Sequence, residues 1–160
     1  MSYHHDLLSQ ATQLVHQESR KPKQASLRRA VSTAYYALFH FLVSEAVVNW
    51  KQHELRQALS RTFDHHLMKA ASNRLRDRGQ FPFDDEDPQV VANLRAVAKT
   101  FSRLQDKRHI ADYDNATFWT RTEALELVDS AERAIQVWRL IRKERIAQAY
   151  LLSMIVKKRD

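Results

Sequence analysis

The sequence predicts an all-α fold, an up-and-down bundle of about five helices with a long C-terminal helix. Three observations predict it. One Gly and three Pro in 160 residues leave few helix breakers, which favours long helices and short connections. Apolar residues recur at three- and four-residue steps through most of the chain. The Val, Ile and Thr runs that mark strands are missing. With 44% hydrophobic and 28% charged residues, the composition is that of one globular domain. We read residues 1–160 as a single domain, with a core over about 3–142 and a basic amphipathic extension over 143–160.

The first helix is predicted over Tyr3 to Glu18, with Leu7, Leu8, Ala11, Leu14 and Val15 on one face. Pro22 ends it, because a proline disfavours helix at the residue before it. The second runs from Ser26, read as its cap, to Trp50. Ala30, Val31, Ala34, Leu38, Phe41 and Leu42 form its stripe, which Tyr35, Phe39 and Ala46 widen. A helix apolar nearly all round is central, or is shared with a partner chain. The third is predicted from Glu54 to Arg78, stopped by Gly79. Its thinner face is Leu55, Leu59, Phe63, Leu67, Ala70, Ala71 and Leu75.

A loop from Gly79 to Pro88 carries the acidic run Asp84 to Asp87, which suits the positive start of the fourth helix. That helix is expected from Pro88 to about Arg108, followed by a polar link from Ile110 to Thr117. The fifth opens on a capping box, Thr120-Arg121-Thr122-Glu123. Ala124, Leu127, Val128, Ala131, Ile135, Trp138 and Ile141 give it a core face, and it is expected to continue towards the C-terminus.

Composition narrows the chemistry. Without Cys there is no disulfide, thiolate nucleophile or thiolate-held metal. No run of about 18 apolar residues exists, and the N-terminus lacks an apolar signal region, so a soluble cytoplasmic protein without a membrane partner is expected. His4-His5 and His65-His66 point to different helix sides, and no carboxylate spacing completes a ligand set. The acidic run lacks an EF-hand pattern. The expectation is no metal and no cofactor.

Lys and Arg number 26 against 19 Asp and Glu, a formal charge of +7. Such a chain is drawn to polyanions, of which nucleic acid is the commonest. The C-terminal stretch holds Arg142, Lys143, Arg145, Lys157, Lys158 and Arg159 against Glu144 and Asp160. Its apolar residues Ala147, Tyr150, Leu151, Met154 and Ile155 predict a helix packed on its own domain or on a dimer mate. Nucleic-acid contact by the basic ends and binding at a membrane surface are the alternatives.

Two segments stand out chemically: Ala34-Tyr35-Tyr36-Ala37-Leu38-Phe39-His40, and Arg108-His109-Ile110-Ala111-Asp112-Tyr113-Asp114 just before the last helix. In that order and separation they make the chain resemble the HEPN family of small all-helical proteins. The family includes metal-independent ribonucleases, often toxins, and members without known activity. Its ribonucleases are marked by an Arg, four to six residues and a His at the end of the penultimate core helix. Arg103-Leu104-Gln105-Asp106-Lys107-Arg108-His109 fits that pattern.

The resemblance implies His109 as acid/base and Arg103 as phosphate clamp, with Arg108, Asp112 and Tyr113 binding or orienting RNA. It also implies a homodimer whose motifs meet at the interface, and a small nucleotidyltransferase-like antitoxin as partner. The residue types suit metal-free cleavage. The RNA 2′-hydroxyl attacks the adjacent phosphate, a His near neutral pKa moves the proton, and an Arg fork holds the charged oxygens.

Geometry separates the pair: six residues on a straight helix rotate Arg103 and His109 roughly 120° apart. Either the helix end unwinds or two chains each supply part of the site. The sequence also departs from the family pattern, since Leu104 follows Arg103 where a polar residue is usual. With Arg108 as the motif Arg, no His lies at the positions four to six further along the chain; Asp112 falls there, followed by Tyr113. That alignment implies a non-catalytic dimeric module that binds a partner protein or a nucleotide. On plainer readings, Arg108 and Asp112 form an i, i+4 ion pair and Tyr113 packs at a corner. His40 is then a hydrogen-bonded core or interface His, and Tyr35, Tyr36 and Phe39 are packing.

Overall fold

A computed structural model describes residues 2–77 and 85–156. Among them are seven α-helices, one 3₁₀ turn and no strand. The helices are α1 (Tyr3–Val15), α2 (Gln24–Val47), α3 (Arg56–Ser60), α4 (His65–Arg76), α5 (Pro88–Tyr113), α6 (Arg121–Ile141) and α7 (Arg145–Ser153). The all-helical class holds, with two more helices than the five expected. Gly79, Asp84 and the basic residues from Lys157 on lie outside the described residues.

The centre is the mutual packing of α2, α5 and α6; α1 covers α2 and α6, and α4 lies on α5. As its all-round apolarity predicts, α2 is the hub, with Leu27, Ala30, Val31, Ala34, Tyr35, Leu38 and Phe41 among its buried residues. One hydrophobic cluster runs from Ala11 in α1 to Met154 after α7.

Helix ends explain most departures from expectation. Lys23, not Ser26, caps α2; the Ser26 hydroxyl instead donates to Glu18 at 2.8 Å. The predicted third helix is two. The chain leaves helix after Ser60, and Asp64, extended at φ −130°, accepts the Leu67 N–H at 2.7 Å to start α4. An Asp that caps from within an apolar period outcompetes continuation. The restart also turns the face: Met68 is fully buried, while Leu55, before the break, is 48% exposed. The starts of α5 and α6 follow the sequence. Asp87 caps Pro88 by accepting the Gln89 N–H at 2.7 Å, and Thr120 and Glu123 complete the capping box.

The predicted link at Ile110 is helix. No Gly or Pro interrupts 109–113, and α5 continues to Tyr113, where Asp114 accepts from Ala116 N–H at 2.9 Å and from the Thr117 hydroxyl at 2.8 Å. The long C-terminal helix does not form either. The chain turns after Ile141 and Glu144 precedes a separate α7. Ile146, Ala147, Tyr150, Leu151 and Met154 are buried in the same cluster, so the boundary drawn at 142 falls inside the core. The Tyr150 phenol meets the Ser72 hydroxyl at 2.6 Å. Glu45 ties α2 to α6, accepting from Trp138 Nε1 at 2.7 Å and Arg142 Nε at 2.9 Å.

Candidate functional site

The C-terminal half of α5 carries Arg103, Arg108, His109, Asp112 and Tyr113, and two hollows flank it. One, against α4, is lined by Lys69, Gln105, Asp106, Arg108, His109 and Ile110. The other, against α6, is lined by Arg103, Lys107, Ile110, Phe118, Trp119, Glu123 and Glu126 among others. Arg103 and His109 therefore lie in different hollows of one helix, with Ile110 reaching both. Because α5 is unbroken through Tyr113, unwinding does not bring the two together within a chain.

The α4 flank is built on a packed Arg. The Arg108 side chain is 13% exposed, with its guanidinium carbon 5.2 Å from the Tyr35 ring centre and 5.7 Å from that of Tyr36. A partly desolvated cation over aromatic faces gains about 1–2 kcal/mol. Its polar contacts are long: 3.4 Å to the Tyr36 hydroxyl and 3.4 Å to Asp112. Ser32 donates to the same Asp112 oxygen, also at 3.4 Å. Arg108 Nε and Gln105 Oε1 are buried and lack a protein partner. Beside them Lys69 pairs with Asp106. Lys69 and Arg108 line this hollow, each beside a carboxylate, Asp106 and Asp112, and the long Arg108 contacts leave its terminal donors able to turn to an oxyanion.

Behind Arg108 lies an aromatic and imidazole cluster. His65, the first residue of α4, shares a 2.6 Å hydrogen bond between its Nδ1 and the buried Tyr35 hydroxyl and sits 4.5 Å from the Phe39 ring. Burial, and then the Arg108 charge, lower the His65 pKa below its ordinary value. Burial, and then His65, lower that of His40. His40 makes ring contacts with Tyr3, Tyr36 and Phe39 but no hydrogen bond among the described residues. Tyr35 and Phe39 are buried and serve packing. Of the other predicted residues, His109 is exposed and lies 4.9 Å from the Tyr113 ring, and Tyr113 is 68% exposed.

On the α6 flank Arg103 is a surface residue that donates to Glu126 at 3.1 Å. Lys107 makes no ion pair among the described residues. Phe118 is 75% exposed, Trp119 is 4% exposed, and Trp119 Nε1 has no protein acceptor.

Sequence reasoning missed Arg28. From the start of α2 its guanidinium donates to Ala111 O at 2.9 Å, Asp114 O at 2.7 Å and Thr117 O at 2.5 Å. It thereby satisfies carbonyls at the negative end of α5 and fixes the turn into α6. Arg28 stood beside the aromatic segment, but no local spacing links it to a loop more than eighty residues away. Lys69 and Gln105 were missed for a similar reason: they read as ordinary helix-surface residues.

Among the described residues no three His, Asp or Glu side chains gather where they could hold a metal ion. No helix among them is long and apolar enough to cross a membrane. No protein-family model matches the chain, and no curated protein or solved structure matches it either.

Proposed function

We propose that the chain is a HEPN-type, metal-independent endoribonuclease of the cytoplasm, acting as the toxin of a toxin–antitoxin pair. The observation that carries this reading is the α4–α5 hollow, where exposed His109 adjoins Lys69 and a buried Arg108 with an unpaired Nε. There the scissile phosphate lies against Arg108 and Lys69. His109 takes the 2′-hydroxyl proton or protonates the leaving oxygen. Arg103 acts as the clamp from the second chain of a homodimer, since within one chain it occupies the opposite flank. Tyr113 and Asp112 orient the strand and Arg108. A nucleotidyltransferase-like antitoxin neutralises the protein.

The test is cleavage of RNA in EDTA by wild type, Arg103→Ala and His109→Ala. Wild type is expected to leave 2′,3′-cyclic phosphate ends, and each variant to lose about 100-fold or more. Mixing the two inactive variants is expected to restore part of the activity, because a mixed dimer regenerates one complete site. Equal cleavage by all three points to a site elsewhere.

The second reading is a non-catalytic dimeric HEPN module that binds a partner protein or a nucleotide. The Arg103–Glu126 pair favours it, since a clamp held by its own chain's carboxylate is not free for phosphate. A folded dimer that never cleaves RNA and is harmless on expression would establish this reading over the first.

A further inference from the structure

We propose that the hollow between α5 and α6 is a subsite for one unpaired RNA nucleotide, with its base stacked on Phe118 and its phosphate held by Lys107. The proposal rests on the ribonuclease reading and deepens it, by stating how the strand is held beside the reacting phosphate.

The first argument is how Phe118 is presented. The ring is 75% exposed, yet the backbone on both sides of it is pinned. Before it, Thr117 O is held by Arg28 at 2.5 Å and the Thr117 hydroxyl by Asp114 at 2.8 Å. After it, Trp119 N–H donates to Gln24 Oε1 at 2.8 Å, and Trp119 O accepts from Gln24 Nε2 at 2.8 Å. A lone exposed aromatic on a loose loop needs no explanation. One fixed by two side chains of another helix is pre-organised, which removes part of the ordering cost of binding.

The second argument is chemical. Unpaired bases are recognised by stacking on aromatic rings beside cations that track the phosphates. Glu126 engages Arg103 at 3.1 Å, and the Glu123 carboxylate accepts the Thr120 N–H in the α6 cap at 3.4 Å. Lys107, with no ion pair among the described residues, is the cation left for a phosphate. Trp119 lines the hollow with its Nε1 lacking a protein acceptor. At about 260 Å³ the hollow lies below the range of drug-sized ligand sites, a size for one planar base. Ile110 lines both hollows, so a strand crossing it passes from Phe118 to the phosphate site at Arg108 and His109. Duplex RNA hides its base faces, so the subsite selects single strands.

The test is binding of a labelled single-stranded RNA oligomer in EDTA, by fluorescence anisotropy, in a His109→Ala background so that the strand survives. Phe118→Ala is expected to weaken binding by about 10-fold, within roughly 5- to 150-fold, and Phe118→Trp to retain it. Lys107→Ala is expected to weaken all sequences alike and to lower the salt slope by about 1. Since Phe118 is exposed, circular dichroism should show the fold unchanged. Unchanged affinity in Phe118→Ala overturns the subsite, as does an altered oligomeric state at unchanged affinity, which would make Phe118 a contact between copies. No binding by the parent also overturns it. If wild type cleaves and Phe118→Ala binds normally, the ribonuclease stands and the subsite falls. If the chain never cleaves but loses RNA with Phe118, the subsite stands and the ribonuclease falls.

Discussion

The two flanks of α5 carry the two arginines that compete for the same role, and they are built differently. Arg108 is 13% exposed, laid over Tyr35 and Tyr36, while Arg103 is 47% exposed in a surface pair with Glu126. One is part of the fabric of the fold and the other is spare to it. The difference teaches how to read mutants. Loss of activity in an Arg108 variant can arise from a disturbed core, whereas the same loss in an Arg103 variant reports on function.

The largest effect should come from Arg108→Ala. It removes two cation–π contacts, leaves a gap over the tyrosines and strips Asp112 of its cation. We expect about 2–3 kcal/mol of destabilisation, read as a lower urea midpoint. Arg108→Met also leaves Asp112 without its cation, but at 29% exposure and 3.4 Å that carboxylate is partly solvated, and the Met keeps a long apolar stem over the rings. A loss within about 1 kcal/mol together with lost RNA affinity would assign the charge to function. Equal destabilisation by Ala and Met would instead make the guanidinium structural, and the two flanks alike.

Arg28→Ala tests what both flanks share, because the guanidinium secures the end of the helix they lie on. Freeing three carbonyls from a charged donor should cost about 2 kcal/mol. Amide exchange around 111–119 should rise more than in α2. Uniform loss of protection would mean that this turn is not a separately stabilised unit.

The sequence is most legible where structure is local. The capping box at Thr120 and Glu123, the Asp87–Pro88 start of α5 and the all-round apolarity of α2 each depend on neighbours within a few residues. It misleads where an element's end depends on a distant partner. The polar run after Arg108 looks like a link, but α5 continues because Arg28 waits to satisfy its last carbonyls. The apolar period from Leu55 to Leu75 hides a break, because Asp64 fits the period's polar side as well as it fits a cap. Of the candidate site, the residue types and their crowding on α5 could be read. The partition of Arg103 and His109 between two hollows needed the unbroken helix, and Phe118 needed Gln24 and Arg28.

A smaller effect sharpens the α4 flank. His65 and His40 have pKa values lowered by burial, from about 6.5 in the unfolded chain. Above that value both states are neutral. Below it the unfolded chain takes up protons first, so stability falls with pH until the folded values are passed. Arg108, Asp64, His40, Tyr35 and Tyr36 are the titratable or charged groups around His65. Tyr35→Phe should cost about 1 kcal/mol at neutral pH. His65→Asn should flatten the decline as pH falls through the unfolded value of about 6.5, measured by urea titration at each pH. An undiminished decline in His65→Asn would move its source away from this cluster.

The smallest effect should be that of Arg103→Ala. An exposed pair is screened by solvent and must order two long side chains, so its loss should change stability by less than about 0.5 kcal/mol. Glu126→Ala should be equally mild. Their effects on RNA should then diverge. If Arg103 binds phosphate, removing Glu126 frees it and strengthens RNA affinity, while removing Arg103 weakens it; measured together by anisotropy at fixed salt, the two changes should have opposite sign. If Arg103 only pairs with Glu126, both variants should bind like wild type, and the whole burden of anion recognition moves across α5 to Arg108 and Lys69.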